Sequence, residues 1–77
     1  MMSASVKKQC SLKWFNSVAG YGFLVPNDGG ADIFLHRTVL DESRFPAPLA
    51  DDVIEVLAYR HEGRNWRVER VLSMRQP

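Results

Sequence analysis

The sequence predicts an all-β domain, a five-stranded antiparallel barrel with a long loop between its third and fourth strands. Three observations predict it. Short runs rich in aromatic and β-branched residues lie at 10–16, 21–25, 32–36, 53–59 and 66–73, and clusters of turn formers separate them. Between the third and fourth runs, residues 37–52 carry two prolines, Pro46 and Pro48, which exclude a long helix or a central strand there. Five short strands with one long loop fit a small barrel.

Each element has its own warrant. The first run, Cys-Ser-Leu-Lys-Trp-Phe-Asn, ends on the turn former Asn16, and the second is entered through Ala19-Gly20 and closed by Pro26. Pro26-Asn27-Asp28-Gly29-Gly30 then packs five turn formers together. Asn or Asp followed by Gly supplies the positive φ angles of a tight hairpin, so the second and third strands pair antiparallel. In the third, Ile33 and Leu35 point one way and Asp32, Phe34 and His36 the other. A short helical turn is expected at 38–40, followed by irregular loop. Residues 50–60 can be scanned as an amphipathic helix, but Val53, Ile54 and Val56 favour strand. The turn His61-Glu62-Gly63-Arg64-Asn65 leads into the fifth strand, where Val68 and Val71 differ in parity, which implies a bend or bulge near Arg70. Residues 1–8 lack periodicity and read as a flexible tail, with the domain over 9–74 and a short tail at 75–77.

At 77 residues the chain has room for one modest core, so a function is expected on its surface. No run approaches the roughly 18 apolar residues of a membrane span, and no apolar block follows Lys7 and Lys8 as in a signal peptide. A cytoplasmic protein is the expectation. The single cysteine, Cys10, excludes a disulfide framework and reads as a small strand residue rather than a reactive thiol. The net charge of +1 is too small for a protein held on nucleic acid by charge alone. Residues 1–40 nevertheless carry +2 and residues 41–77 carry −1, and the positive part holds Trp14, Phe15, Tyr21, Phe23 and Phe34, five of the eight aromatics.

Tyr21 and Phe23 share one face of the second strand and alternate with Gly20 and Gly22. Glycine weakens a strand and is tolerated where another backbone or a flat ligand comes close. Phe34 and His36 lie opposite the aliphatic Ile33 and Leu35, so if the aliphatic set fills the barrel the rings face outward. For any single aromatic, core filling is the commoner role. For four rings in alternation with glycines and aliphatics, joined by Trp14 or Phe15, the surface reading prevails. Such a patch is costly without a ligand to cover it. Flat rings on a rigid sheet suit unpaired bases, with Lys13 and Arg37 beside them for phosphates or for stacking.

The ordered set Lys13-Trp14-Phe15-Asn16, Gly20-Tyr21-Gly22-Phe23-Leu24, Pro26-Asn27-Asp28-Gly29 and Asp32-Ile33-Phe34-Leu35-His36 closely resembles the cold-shock domain family. Each piece alone is weak, and the set in order is specific, covering residues 10–40 strongly and the rest by pattern. The resemblance implies an OB-fold barrel that binds single-stranded RNA or DNA, with roles as an RNA chaperone or a regulator of transcription and translation. It assigns Lys13, Trp14, Phe15, Tyr21, Phe23, Phe34 and His36 to nucleic-acid contact, Asp32 to a base edge or to shaping the loop, and Phe45 to a loop aromatic. Three positions depart from the family pattern. Ala19 stands where a basic residue is usual, Arg37 where an aromatic is usual, and Arg64-Asn65-Trp66 where a Gly-Pro is common. The first removes a phosphate contact, and the second exchanges a base stack for a cation able to do part of either job.

Other chemistry finds no support in the residues. No ligand-spaced Cys, His or carboxylate cluster surrounds His36, so neither a metal nor general-base catalysis is expected, and no cofactor is implied. His61 is expected in a solvated turn, Asp51-Asp52 as hydrated loop carboxylates, and Asp28-Gly29-Gly30 as a turn without the helix and lysine of a phosphate cradle. The chain reads as a binding protein rather than an enzyme, a monomer or weak dimer. The rival reading is a barrel used for protein contacts through Trp66, Phe45 and the loop Pro46-Ala47-Pro48.

Overall fold

The computed structural model describes residues 5–60 and 62–76. They form five strands and one helix: β1 (Val6–Asn16), β2 (Tyr21–Pro26), β3 (Ile33–His36), α1 (Arg37–Ser43), β4 (Val53–Tyr59) and β5 (Trp66–Arg75). The strands close in the order β1-β2-β3-β5-β4. The expected small barrel is therefore present, with one difference in pairing. Four of its neighbouring pairs are antiparallel, while β3 and β5 meet in parallel through Ile33 with Trp66 and Phe34 with Arg67.

Closure rests on β1, which serves two neighbours in turn. Its first part pairs with β4 from Val6 to Cys10 and its second with β2 from Cys10 to Asn16, so Cys10 is paired on both sides and is buried. This corrects two boundaries. Residues 6–8, expected in a tail, are strand, because β4 offers them a ladder that no local pattern reveals; Arg75, expected in the C-terminal tail, ends β5 opposite Val53 for the same reason.

The core takes one side chain in two from most strands: Cys10 from β1, Leu24 from β2, Ile33 and Leu35 from β3, and Ile54, Val56 and Ala58 from β4. Full burial of a large aliphatic side chain contributes about 1.5–3 kcal/mol, the main source of stability open to so small a domain. β5 contributes Val68, Val71 and the partly buried Met74, a spacing of three that regular strand cannot bury on one face. Two irregularities solve this. Val68 and Arg70 oppose consecutive β4 residues, as do Val71 and Ser73, which leaves Glu69 and Leu72 unpaired and flips the parity at each. The bulge expected near Arg70 is thus a pair of bulges flanking it.

α1 is longer than the helical turn expected at 38–40 and covers the seam where β3 has ended but β5 continues. Its Leu40 is buried in the core, and Ser43 Oγ accepts a hydrogen bond from the Val71 N–H at 3.0 Å, satisfying a β5 donor on that side of the strand. The helix ends at Arg44 in the left-handed region (φ 65°), where the Phe45 N–H donates to the Leu40 carbonyl at 2.9 Å. In the following loop Asp52 is buried rather than hydrated. Its carboxylate accepts from the Leu49 N–H at 2.9 Å and from the Gln76 side-chain amide at 2.7 Å, so it ties the loop to the C-terminal end of β5. No helix among the described residues is long and apolar enough to cross a membrane, and His61 lies outside the described residues.

Gly22 is the most crowded of the glycines. A Cβ built there would lie 2.2 Å from the Trp14 carbonyl oxygen and 2.7 Å from the Phe15 Cα, so β1 lies against β2 with no room for a side chain. Of the two reasons a glycine is tolerated in a strand, approach of another backbone is the one at work here. Gly22→Ala is expected to cost about 3 kcal/mol or more, the upper end for overpacking, because the obstacle is backbone and cannot swing away. Gly29→Ala, at φ +83° but with open space around the new Cβ, is expected to cost only about 1–2 kcal/mol. Urea unfolding of both variants checks the ordering, and equal losses would remove the close approach as the reason for Gly22.

Burial pushes the Cys10 thiol up to about 11 from 9.0, with the Asp28 charge adding to the rise and Lys8 opposing it. The folded value lies above the unfolded one. The thiol's contribution to stability is therefore complete below about pH 9 and is lost as pH rises towards 11. Between those values the unfolding midpoint of the natural chain should fall more steeply than that of Cys10→Ala, and parallel profiles would contradict the assignment.

Candidate nucleic-acid interface

The same alternation that fills the barrel turns a set of rings outward. On β2 Leu24 points into the core, which leaves Tyr21 and Phe23 on the opposite face; Phe23 stands opposite Phe34 of β3, and Tyr21 opposite His36. β1 is less direct. Cys10 and Leu12 face the core, and strict alternation would send Trp14 inward as well. Lys13, however, is an extra residue between Leu12, which pairs with Leu24, and Trp14, which pairs with Phe23. The bulge reverses the parity, so Trp14 joins the outer rings and Phe15 packs against the core. That settles the choice between Trp14 and Phe15 which the sequence left open.

The rings touch in sequence across three strands. Trp14 lies 5.6 Å from Tyr21 and 5.4 Å from Phe23, Tyr21 lies 5.7 Å from Phe34, Phe23 lies 5.6 Å from Phe34, and Phe34 lies 6.2 Å from His36, centroid to centroid. Contacts at this range contribute about 0.5–1.5 kcal/mol per pair beyond burial, enough to hold the rings in place without a ligand. Trp14 is 42% and Tyr21 38% exposed, large values for such side chains, while Phe23, Phe34 and His36 are half-buried between them. Trp14 stands at 66° and 61° to its two neighbours. The face of Trp14 therefore diverges from those of Tyr21 and Phe23.

His36 is fixed by a second duty. It is the N-cap of α1, and its Nδ1 accepts the Thr38 N–H at 3.1 Å with the Thr38 hydroxyl at 3.0 Å. An accepting Nδ1 carries the lone pair, which puts the proton of the neutral ring on Nε2.

The charged residues fall into different settings. Lys13, assigned to contact by the resemblance, and Asp32, assigned to a base edge or to shaping the loop, face each other as an ion pair at 2.6 Å. Both are substantially exposed, so the pair contributes at most about 1 kcal/mol and exchanges partners readily. Arg37 opens α1, its guanidinium lying over Gly20, and it lines a hollow with Phe15 and Phe45 instead of touching the rings. Phe45 packs against the core beside that hollow and joins no ring of the patch. Trp66 lines a separate hollow with Lys8, Pro26 and the Asp28-Gly29-Gly30 turn, with Lys8 Nζ 5.8 Å and the Arg60 guanidinium 5.7 Å from its ring. Phe45 and Trp66, grouped by the rival reading into one partner surface, thus line different depressions. Lys8 also hydrogen-bonds Asp28 and, with the Gly30 N–H, holds that carboxyl below its ordinary range.

Two residues of the ring face escaped the sequence. Arg67 sits over Phe34 at 5.0 Å, and Tyr59 lines the same hollow as Phe34, His36 and Arg67. The parity of β4 already turns Tyr59 away from Ile54, Val56 and Ala58, but its neighbourhood depends on the parallel pairing of β3 with β5. Local pattern carries no sign of that pairing.

Residues 8–54 match the 'cold-shock' DNA-binding domain. The chain is 33% identical over 54 residues to cold shock domain-containing protein 4 of Arabidopsis thaliana, across 70% of this chain and 27% of that protein. It is 49% identical over 37 residues to probable cold shock protein A of Mycolicibacterium smegmatis, across 48% of this chain and 55% of that protein. It is also 54% identical over 33 residues to the lin-28 homolog of Drosophila melanogaster, across 43% and 17% of the two chains. The matches thus span from about a sixth to about half of these relatives' lengths. With the matched domain covering more than half of the chain, on a closed five-stranded barrel, the protein belongs to the cold-shock domain family.

Proposed function

We propose that this chain binds single-stranded RNA or DNA by stacking bases on the outer rings, as an RNA chaperone or a regulator of transcription or translation in the cytoplasm. The observation that carries the reading is the chain of ring contacts from Trp14 through Tyr21, Phe23 and Phe34 to His36 on the outer face of three strands. An unpaired base presents a flat π face whatever its identity, and each stack contributes about 1–3 kcal/mol. A duplex hides those faces. Single strands are therefore preferred through the stacking itself, without hydrogen-bond readout of sequence.

The ion pair of Lys13 with Asp32 serves the same task. Its partners separate at little cost, the ammonium towards a phosphate and the carboxylate towards a base edge. With a net charge of +1, stacking contributes more to affinity than phosphate neutralisation does. The role is one of binding, and the chain acts as a monomer or weak dimer.

Fluorescence titration with oligo-dT and with mixed single-stranded RNA tests this, in a Trp66→Phe background so that Trp14 alone reports. Quenching at micromolar or lower concentration is expected, Phe23→Ala should weaken binding by about 1–3 kcal/mol, and absence of quenching at low salt would refute the reading. For about two to four phosphates neutralised, log K should fall against log salt with a slope of about −1.5 to −3. A much steeper slope would make charge rather than stacking the main source of affinity.

His36 separates stacking from scaffolding. Asn is also a good N-cap, so His36→Asn should keep stability within about 0.5 kcal/mol while losing a stack, whereas His36→Ala should lose the stack and about 0.5–2 kcal/mol of stability. Retained affinity in His36→Asn would remove this ring from the binding face.

A further inference from the structure

The ring face continues beyond β3. Arg67 is the register partner of Phe34 on one side and of Tyr59 on the other, so all three project from the same surface of adjacent strands. Together with His36 and Thr38 they line a hollow of about 380 Å³. That is within the range of about 300–1,000 Å³ common for small-ligand sites, and no carboxylate lines it.

We propose that this hollow is a further nucleotide subsite, in which Arg67 holds a backbone phosphate of the strand stacked on the neighbouring rings. The inference rests on the single-strand reading above and extends it from β3 to β5 and β4. Three features carry it. The Arg67 guanidinium lies over the face of Phe34 at 5.0 Å. Contact with that face steadies the cation, and a guanidinium has five N–H donors, more than one ring contact can occupy, in a fork that matches phosphate oxygens. Moreover, Lys7, Lys8 and Lys13 each face a carboxylate, while Arg67 forms no ion pair among the described residues. It is thus a cation positioned on the ring face and facing no carboxylate among the described residues. Finally, Tyr59 lies across the hollow and offers a ring for the nucleotide that this phosphate would carry.

The test is fluorescence anisotropy of labelled oligo-dT of about four to eight nucleotides, titrated over a range of salt with the full chain and with Arg67→Gln, Arg67→Lys and Trp14→Ala. Loss of one phosphate contact on a single strand should make the slope of log K against log salt shallower by about 0.7 in Arg67→Gln. Arg67→Lys should keep the slope, and because Arg67 is exposed both variants should stay folded under the titration conditions, with Arg67→Gln losing only its contact with Phe34. Weaker binding of Arg67→Gln at an unchanged slope would overturn the phosphate assignment in favour of a base stacked on the guanidinium. Unchanged affinity and slope, with Trp14→Ala still weakened, would overturn the subsite and leave the stacking reading standing. If Trp14→Ala also binds as the natural chain does, the stacking reading fails and the subsite with it.

Discussion

The close approach of β1 to Gly22 is the constraint on which the rest of the molecule depends. A five-stranded barrel this small has to close through one strand that reaches both β2 and β4, and β1 does so by pairing first with one and then with the other. Its backbone at Trp14 and Phe15 lies so close to Gly22 of β2 that even a methyl group is excluded. Next to that close approach, the extra residue Lys13 changes the parity of the strand. One local irregularity therefore has two effects: it delivers Phe15 to the interior, where it packs against the core, and Trp14 to the exterior, where it meets Tyr21 and Phe23.

The two faces of the sheet divide the physical work. Inside, small and branched aliphatic side chains fill the barrel, with two bulges in β5 converting a three-residue spacing into a continuous inner surface. Outside, rings lie in mutual contact and remain partly exposed. A domain of this size is only marginally stable, so the interface has to be built from side chains that hold one another in place. His36 illustrates this, since the ring that borders Phe34 is also the acceptor that starts α1. Electrostatics follow the same pattern. The lysines of the first strand each face a carboxylate, which offsets their charge locally.

Elements whose signals are local were legible in advance. The β2–β3 hairpin follows from Asn27-Asp28-Gly29-Gly30, the inward set Ile33 and Leu35 from strict alternation, and β4 from its β-branched residues, and all three are present. Features that depend on a distant partner were not. Residues 6–8 become strand because β4 lies alongside, Asp52 is buried because Gln76 reaches it, and α1 extends to Ser43 because β5 needs a cover where β3 stops. Arg37 was grouped with the rings by its place after His36 and Phe45 by the resemblance, yet α1 and its loop carry them to a neighbouring hollow.

The sequence by itself determined that this chain is an all-β barrel and that Tyr21, Phe23, Phe34 and His36 share its outer face. Period-two alternation assigns faces without reference to any other strand. Only the tertiary structure decided that Trp14 rather than Phe15 completes the ring set, and that Arg67 and Tyr59 extend it. A bulge is visible only as a shift in register against a partner, and a parallel pairing joins residues far apart in the chain.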